Sequence, residues 1–152
     1  MRRLRALALY WLPVIVWMML IFSASTAHGS FRNSSRILGP LLRFIFPWMD
    51  ENNIMAVVMI VRKWGHISEY AVLTALVWRA RWQPQRGDMR PWDWAIAAEA
   101  LWVAVLYAST DEFHQTFVPS REGCVQDVGI DSSGALAGIF VLWIFERWRK
   151  RA

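Results

Sequence analysis

Between Asp111 and Asp131 the chain reads DEFHQTFVPSREGCVQDVGID, which sets five carboxylates, His114 and Arg121 in one short interval flanked by long apolar runs. Asp111 and His114 stand three residues apart, and Asp127 and Asp131 four. On a helix either spacing puts a pair on one face. A second polar group lies upstream in KWGHISEYAVL, where His66 and Glu69 repeat the three-residue spacing. These residue types suit acid–base chemistry, with His66 or His114 as general base or acid and Glu69 or Asp111 fixing tautomer and orientation. Glu112, Gln115, Asp127 and Asp131 extend the polar wall. Arg121 offers a guanidinium fork that pairs bidentately with phosphate or carboxylate. The same side chains form a donor set for a divalent metal, with His66, Asp111, His114 and Asp127 as the candidate ligands. Two imidazoles and several carboxylates suit zinc, manganese or non-haem iron. No HExxH pattern is present.

Such a concentration of charge needs elements that can carry it. With 152 residues, 56% of them hydrophobic, 11 tryptophans and only 19% charged residues, the composition fits a membrane protein better than a water-soluble domain. Four apolar stretches are read as transmembrane helices, at about 6–23, 64–78, 92–110 and 128–145, in a single all-α domain forming a four-helix membrane bundle. An outer segment, 24–63, joins the first two. Within it ILGPLLRFIFPWM and IMAVVMIV are each too short to span, and Pro40, Pro47 and the run from Asp50 to Asn53 separate them. They read as interfacial or re-entrant helices on the outer face.

Basic clusters set the orientation. Arg2, Arg3 and Arg5 precede the first span, Arg79, Arg81, Arg86 and Arg90 join the second and third, and Arg147, Arg149, Lys150 and Arg151 follow the fourth. All fall inside if both ends are cytoplasmic in the inner membrane of a bacterium, although the outer segment is also basic. The first run, with its arginines and a small-residue stretch at Ser23 to Ala27, also fits a secretory signal. Its length and the spans that follow favour a retained anchor. The formal charge of +5 and pI of about 10.1 come from dispersed clusters, not from one patch, which argues against nucleic acid. A single cysteine, Cys124, rules out an internal disulfide and a cysteine-based zinc site. This topology brings His66 and Glu69, Asp111 to Gln115, and Asp127 with Asp131 to one outer depth from three spans. Charged groups at that depth are costly unless they face each other or water. The small residues Ser132, Ser133, Gly134, Ala135, Ala137 and Gly138 let the last span approach its neighbours closely.

The combined pattern resembles the VanZ-like family of small bacterial membrane proteins, named for a teicoplanin (glycopeptide) resistance factor. The resemblance rests on an anchor span ending near Phe22-Ser23, on Lys63, His66 and Glu69-Tyr70, and on Asp111, Glu112 and Gln115. It extends through Pro119 and Arg121 to Asp127 and the glycine-rich start of the last span. Ser120 stands where the family pattern has glycine. The resemblance implies a membrane protein of the cell envelope, and it does not specify a reaction.

Several roles compete for the cluster. One is an enzyme, a membrane-embedded hydrolase or transferase of lipid-linked phosphate or sugar. Another is a non-catalytic protein that binds or shields a lipid-linked precursor or a glycopeptide. A third is a small lipid transporter, for which four spans are few and a homodimer would supply the path. The plainest is a set of ion pairs, such as Arg121 with Asp127 or Glu112, that locks the helices in register. Glu99 sits mid-span and is expected to make an interhelical hydrogen bond, which a protonated carboxyl can also form. His28 is read as solvated and the methionines as apolar filler.

Overall fold

The computed structural model describes residues 2–26, 31–85, 88–118 and 123–151. Among these the chain is all-helical, with no strand: α1 Arg2–Ser25, α2 Phe31–Ile45, α3 Glu51–Trp82, α4 Trp94–Gln115 and α5 Val125–Arg149. The central helix is α3, which packs against each of the other four.

The helix boundaries follow from local chemistry. Asp93 caps α4, its carboxylate accepting from the backbone N–H of Ala95 at 2.8 Å and of Ile96 at 3.2 Å. At the far end of α3, Gln83 turns left-handed with φ 46° and its N–H donates to the Arg79 carbonyl at 2.9 Å. That closes the last turn before Pro84. The start of α3 corrects the sequence reading. The run from Asp50 to Asn53 does separate the two apolar pieces, but IMAVVMIV does not stand apart from the stretch that begins at 64. Asp50 stands just before the helix and Glu51 lies in its first turn, where a negative charge is favoured by the helix dipole. IMAVVMIV is therefore the first half of one continuous helix of 32 residues. The other apolar piece forms most of α2, joined to α3 by a bidentate contact between the exposed Arg43 and Glu51.

Helices α1, α3, α4 and α5 each turn a stripe of small or apolar side chains inward. In α4 the stripe is Ala97, Ala100, Ala104 and Ala108, and it runs on without a break into Asp111 and Gln115. In α1 it is Val14 and Ile21, continuing to Ser25. Against α3, α5 presents glycine. A Cβ on Gly134 would stand 2.3 Å from the Ile67 carbonyl oxygen, and one on Gly138 would stand 2.6 Å from that of Ala71. The two backbones thus touch directly, as in membrane helix pairs with small residues four apart.

Many large apolar side chains face outward, among them Leu9, Leu20, Trp102, Leu106, Phe140 and Val141. The segments Leu7–Ser25 and Val125–Arg149 are long and apolar enough to cross a membrane.

At the end remote from Asp111, a stack of Trp78 with Trp82 and Trp92 underlies the α3–α4 connection. The Arg90 guanidinium lies 4.2 Å over the Trp82 ring and bonds the Asp88 carboxylate. Arg90 thereby holds the Asp88 carboxyl well below the usual carboxylate range. Arg149 donates to the Asp88 carbonyl at 3.2 Å and to Glu146 at 2.8 Å, fastening α5 to the same connection. Glu99 does bond across helices as expected, to Arg81 at 2.6 Å. Both side chains are half-exposed, so the pair meets at a partly open surface of the bundle.

Candidate functional site

The site is built where four helix stripes reach the same end. Asp111 closes the stripe of α4. Its Oδ2 accepts from Ser25 Oγ at 2.6 Å, across from α1, and from Gln115 Nε2 at 3.0 Å, one turn on. Gln115 Nε2 also donates to Glu112 Oε1 at 3.2 Å. The other Glu112 oxygen accepts from the backbone N–H of Cys124 at 3.0 Å, so this carboxylate ties the end of α4 to the start of α5. Gly123 permits that approach: a Cβ there would stand 2.4 Å from the Glu112 carbonyl oxygen.

From α5 comes Asp131, 0% exposed, one turn before Gly134. The glycine contact with α3 sets Asp131 beside His66, with Nδ1 and Oδ1 3.5 Å apart. That is the separation of an ion pair and longer than a strong hydrogen bond. One turn along α3 lies Tyr70, also 0% exposed. It is within electrostatic range of both Asp111 and Asp131. Among the described residues, the Tyr70 hydroxyl, Asp111 Oδ1 and Asp131 Oδ2 have no hydrogen-bond partner, while Asp131 Oδ1 faces His66 alone. Buried polar atoms are rarely left so.

The sequence-derived residues fall into three groups. Asp111, Glu112 and Gln115 are joined directly, and Asp131 with His66 stands beside them; Asp127 is half-buried and within electrostatic range of Glu112 and Asp131. His114 turns aside, its ring 4.6 Å from that of Phe22 on α1. Glu69 supports the frame through its backbone carbonyl, which accepts from Trp17 Nε1 at 2.9 Å. Arg121, with Pro119 and Ser120, lies outside the described residues, as does His28. Among the described residues no three His, Cys, Asp or Glu side chains gather as a metal ion requires. His66, Asp111, His114 and Asp127 therefore do not form a ligand set in this structure.

The pattern that carries the resemblance extends well beyond these residues. The VanZ/LLP1 family matches residues 9–146, nearly the whole chain. The chain belongs to this family. No curated protein and no solved structure matches it. Every residue of the candidate site, from Ser25 to Asp131, lies inside the stretch matched by VanZ/LLP1. Two of them escape a reading of motifs. Ser25 is a single hydroxyl at the end of the α1 stripe, and Gly123 is a lone glycine in a polar turn. The alanine periodicity of α4 is the signal that leads to the first of these, because it fixes which face Asp111 occupies.

Proposed function

We propose that this protein is a four-span bundle of the bacterial inner membrane whose polar cluster binds the head group of a lipid-linked cell-envelope precursor at the outer leaflet. Family membership and the apolar outer surface support the membrane placement. The crossings are α1, the second half of α3, α4 and α5, with both ends cytoplasmic. The basic residues Arg79, Arg81, Arg90, Arg147, Arg149 and Lys150 lie at the end remote from Asp111, which supports that orientation.

The observation that carries the binding reading is the set of buried acceptors and the Tyr70 hydroxyl without partners. In a bilayer such groups are costly unless water or a ligand meets them. Carboxylates accept, so the matching ligand brings donors such as the hydroxyls of a sugar. The test is binding of a lipid-linked sugar by the reconstituted protein and its Asp131→Asn variant. Binding is expected to fall at least about tenfold, or about 1.4 kcal/mol, with the variant as abundant in the membrane as the parent. Unchanged binding would sink the reading, and loss of the protein itself would favour a purely helix-locking role. A glycopeptide carries similar donors and serves as competitor.

The His66–Asp131 pair favours a second reading, a hydrolase or transferase in which a buried carboxylate orients an imidazole base. Turnover of the lipid-linked sugar, lost in His66→Gln while binding persists, separates it from binding alone.

A further inference from the structure

We infer that the apolar tail of the ligand lies in a cleft between the end of α4 and the start of α5, so that the ligand reaches the polar cluster sideways from the bilayer. The inference rests on the head-group reading above. The cleft has a volume of about 340 Å³ and is lined by Ser109, Phe113, Cys124, Val125 and Val128, with Glu112 as its charged side chain. Its rim faces outward: Phe113 and Val125 are 67% and 87% exposed. Its size is at the low end of small-molecule sites, roughly 300–1,000 Å³. It holds one segment of an apolar chain and not a whole lipid.

Glu112 decides what occupies the cleft. It is buried, one oxygen held by the Cys124 N–H and the other by Gln115, which also holds Asp111. A carboxylate offers about four acceptor positions, so Glu112 retains capacity for a donor on the ligand. Apolar walls therefore lead to an acceptor, and that acceptor leads through Gln115 into the cluster. A molecule with an apolar tail and a hydroxyl-bearing head complements this sequence of surfaces. A wholly water-soluble ligand leaves the walls unused.

Cys124 is the only cysteine in the chain, lines the cleft and is exposed, so it reports occupancy without engineering. The full-length protein in phosphatidylglycerol vesicles is treated with N-ethylmaleimide, and alkylation is followed by mass. The probes are a glycosylated diacylglycerol in the vesicles and its deacylated, water-soluble glycosylglycerol. The glycolipid is expected to slow alkylation about tenfold, while the deacylated head group binds and leaves the rate nearly unchanged. Val128→Trp, which fills the cleft, is expected to weaken glycolipid binding about tenfold, or about 1.4 kcal/mol, and to spare the deacylated probe. If Val128→Trp fails to fold, Ser109→Leu fills the cleft from the α4 side, and protection in the parent protein decides alone. Glycolipid binding with Cys124 reacting at full rate overturns the cleft while leaving the head-group reading in place. Failure of the parent to bind either probe overturns both. Protection that appears without glycolipid and rises with protein density assigns the cleft to a second copy and overturns the inference.

Discussion

Tyr70 carries a hydroxyl that the described protein does not bond, in a position with no exposure. An unsatisfied buried hydroxyl costs about 1–3 kcal/mol, so Tyr70→Phe is expected to leave thermal unfolding in detergent unchanged or slightly raised, while glycolipid binding falls. A marked loss of stability in that variant would mean that the hydroxyl serves the fold. The residues legible in the sequence were those whose spacing made a pattern: His66, Asp111, Gln115, Asp127 and Asp131. His114 shared the pattern and not the place. Three residues advance a helix by about 300°, which leaves a residual offset of about 60°. That offset takes the His114 ring off the Asp111 position to meet Phe22, one turn before Ser25 on α1. Ser25 was illegible for a different reason. A lone serine ending an apolar helix has no meaning until the residue opposite it, Asp111, is known.

Among the elements, α5 was the most legible, because its run of small residues announced a close approach, and the approach is to α3 at Gly134 and Gly138. Gly138→Leu is expected to destabilise the protein by roughly 1–3 kcal/mol through overpacking and to weaken binding as well, since Asp131 rides on the same contact. Thermal unfolding and the binding assay, made on the same preparation, check both parts. Stability lost with binding intact would show that the helix contact does not position Asp131. The start of α3 was misread because Arg62 and Lys63 stand where charges bound an apolar span, whereas the helix runs straight through them. The resulting helix, 32 residues and about 48 Å long, exceeds the hydrocarbon thickness of about 30 Å. Its first half, with α2, extends past the level of His66.

For the whole molecule, composition and family resemblance gave the class, and the apolar exterior agrees with it. The proposed orientation makes a direct prediction. In spheroplasts, a membrane-impermeant maleimide is expected to label Cys124. In a Cys124→Ser background, Gln85→Cys is expected to label only after permeabilisation, and the reverse pattern inverts the topology. The direct backbone contact of α5 with α3 also bears on how variation in this chain is to be interpreted. At Gly134 and Gly138 no side chain mediates between packing and site, so a substitution cannot loosen one without displacing the other. A mutational scan that scores abundance and glycolipid binding separately is expected to find the two inseparable there and separable at Tyr70. The distance between Asp131 and His66 is thus not free to drift in small steps: the bundle and the site are inherited together.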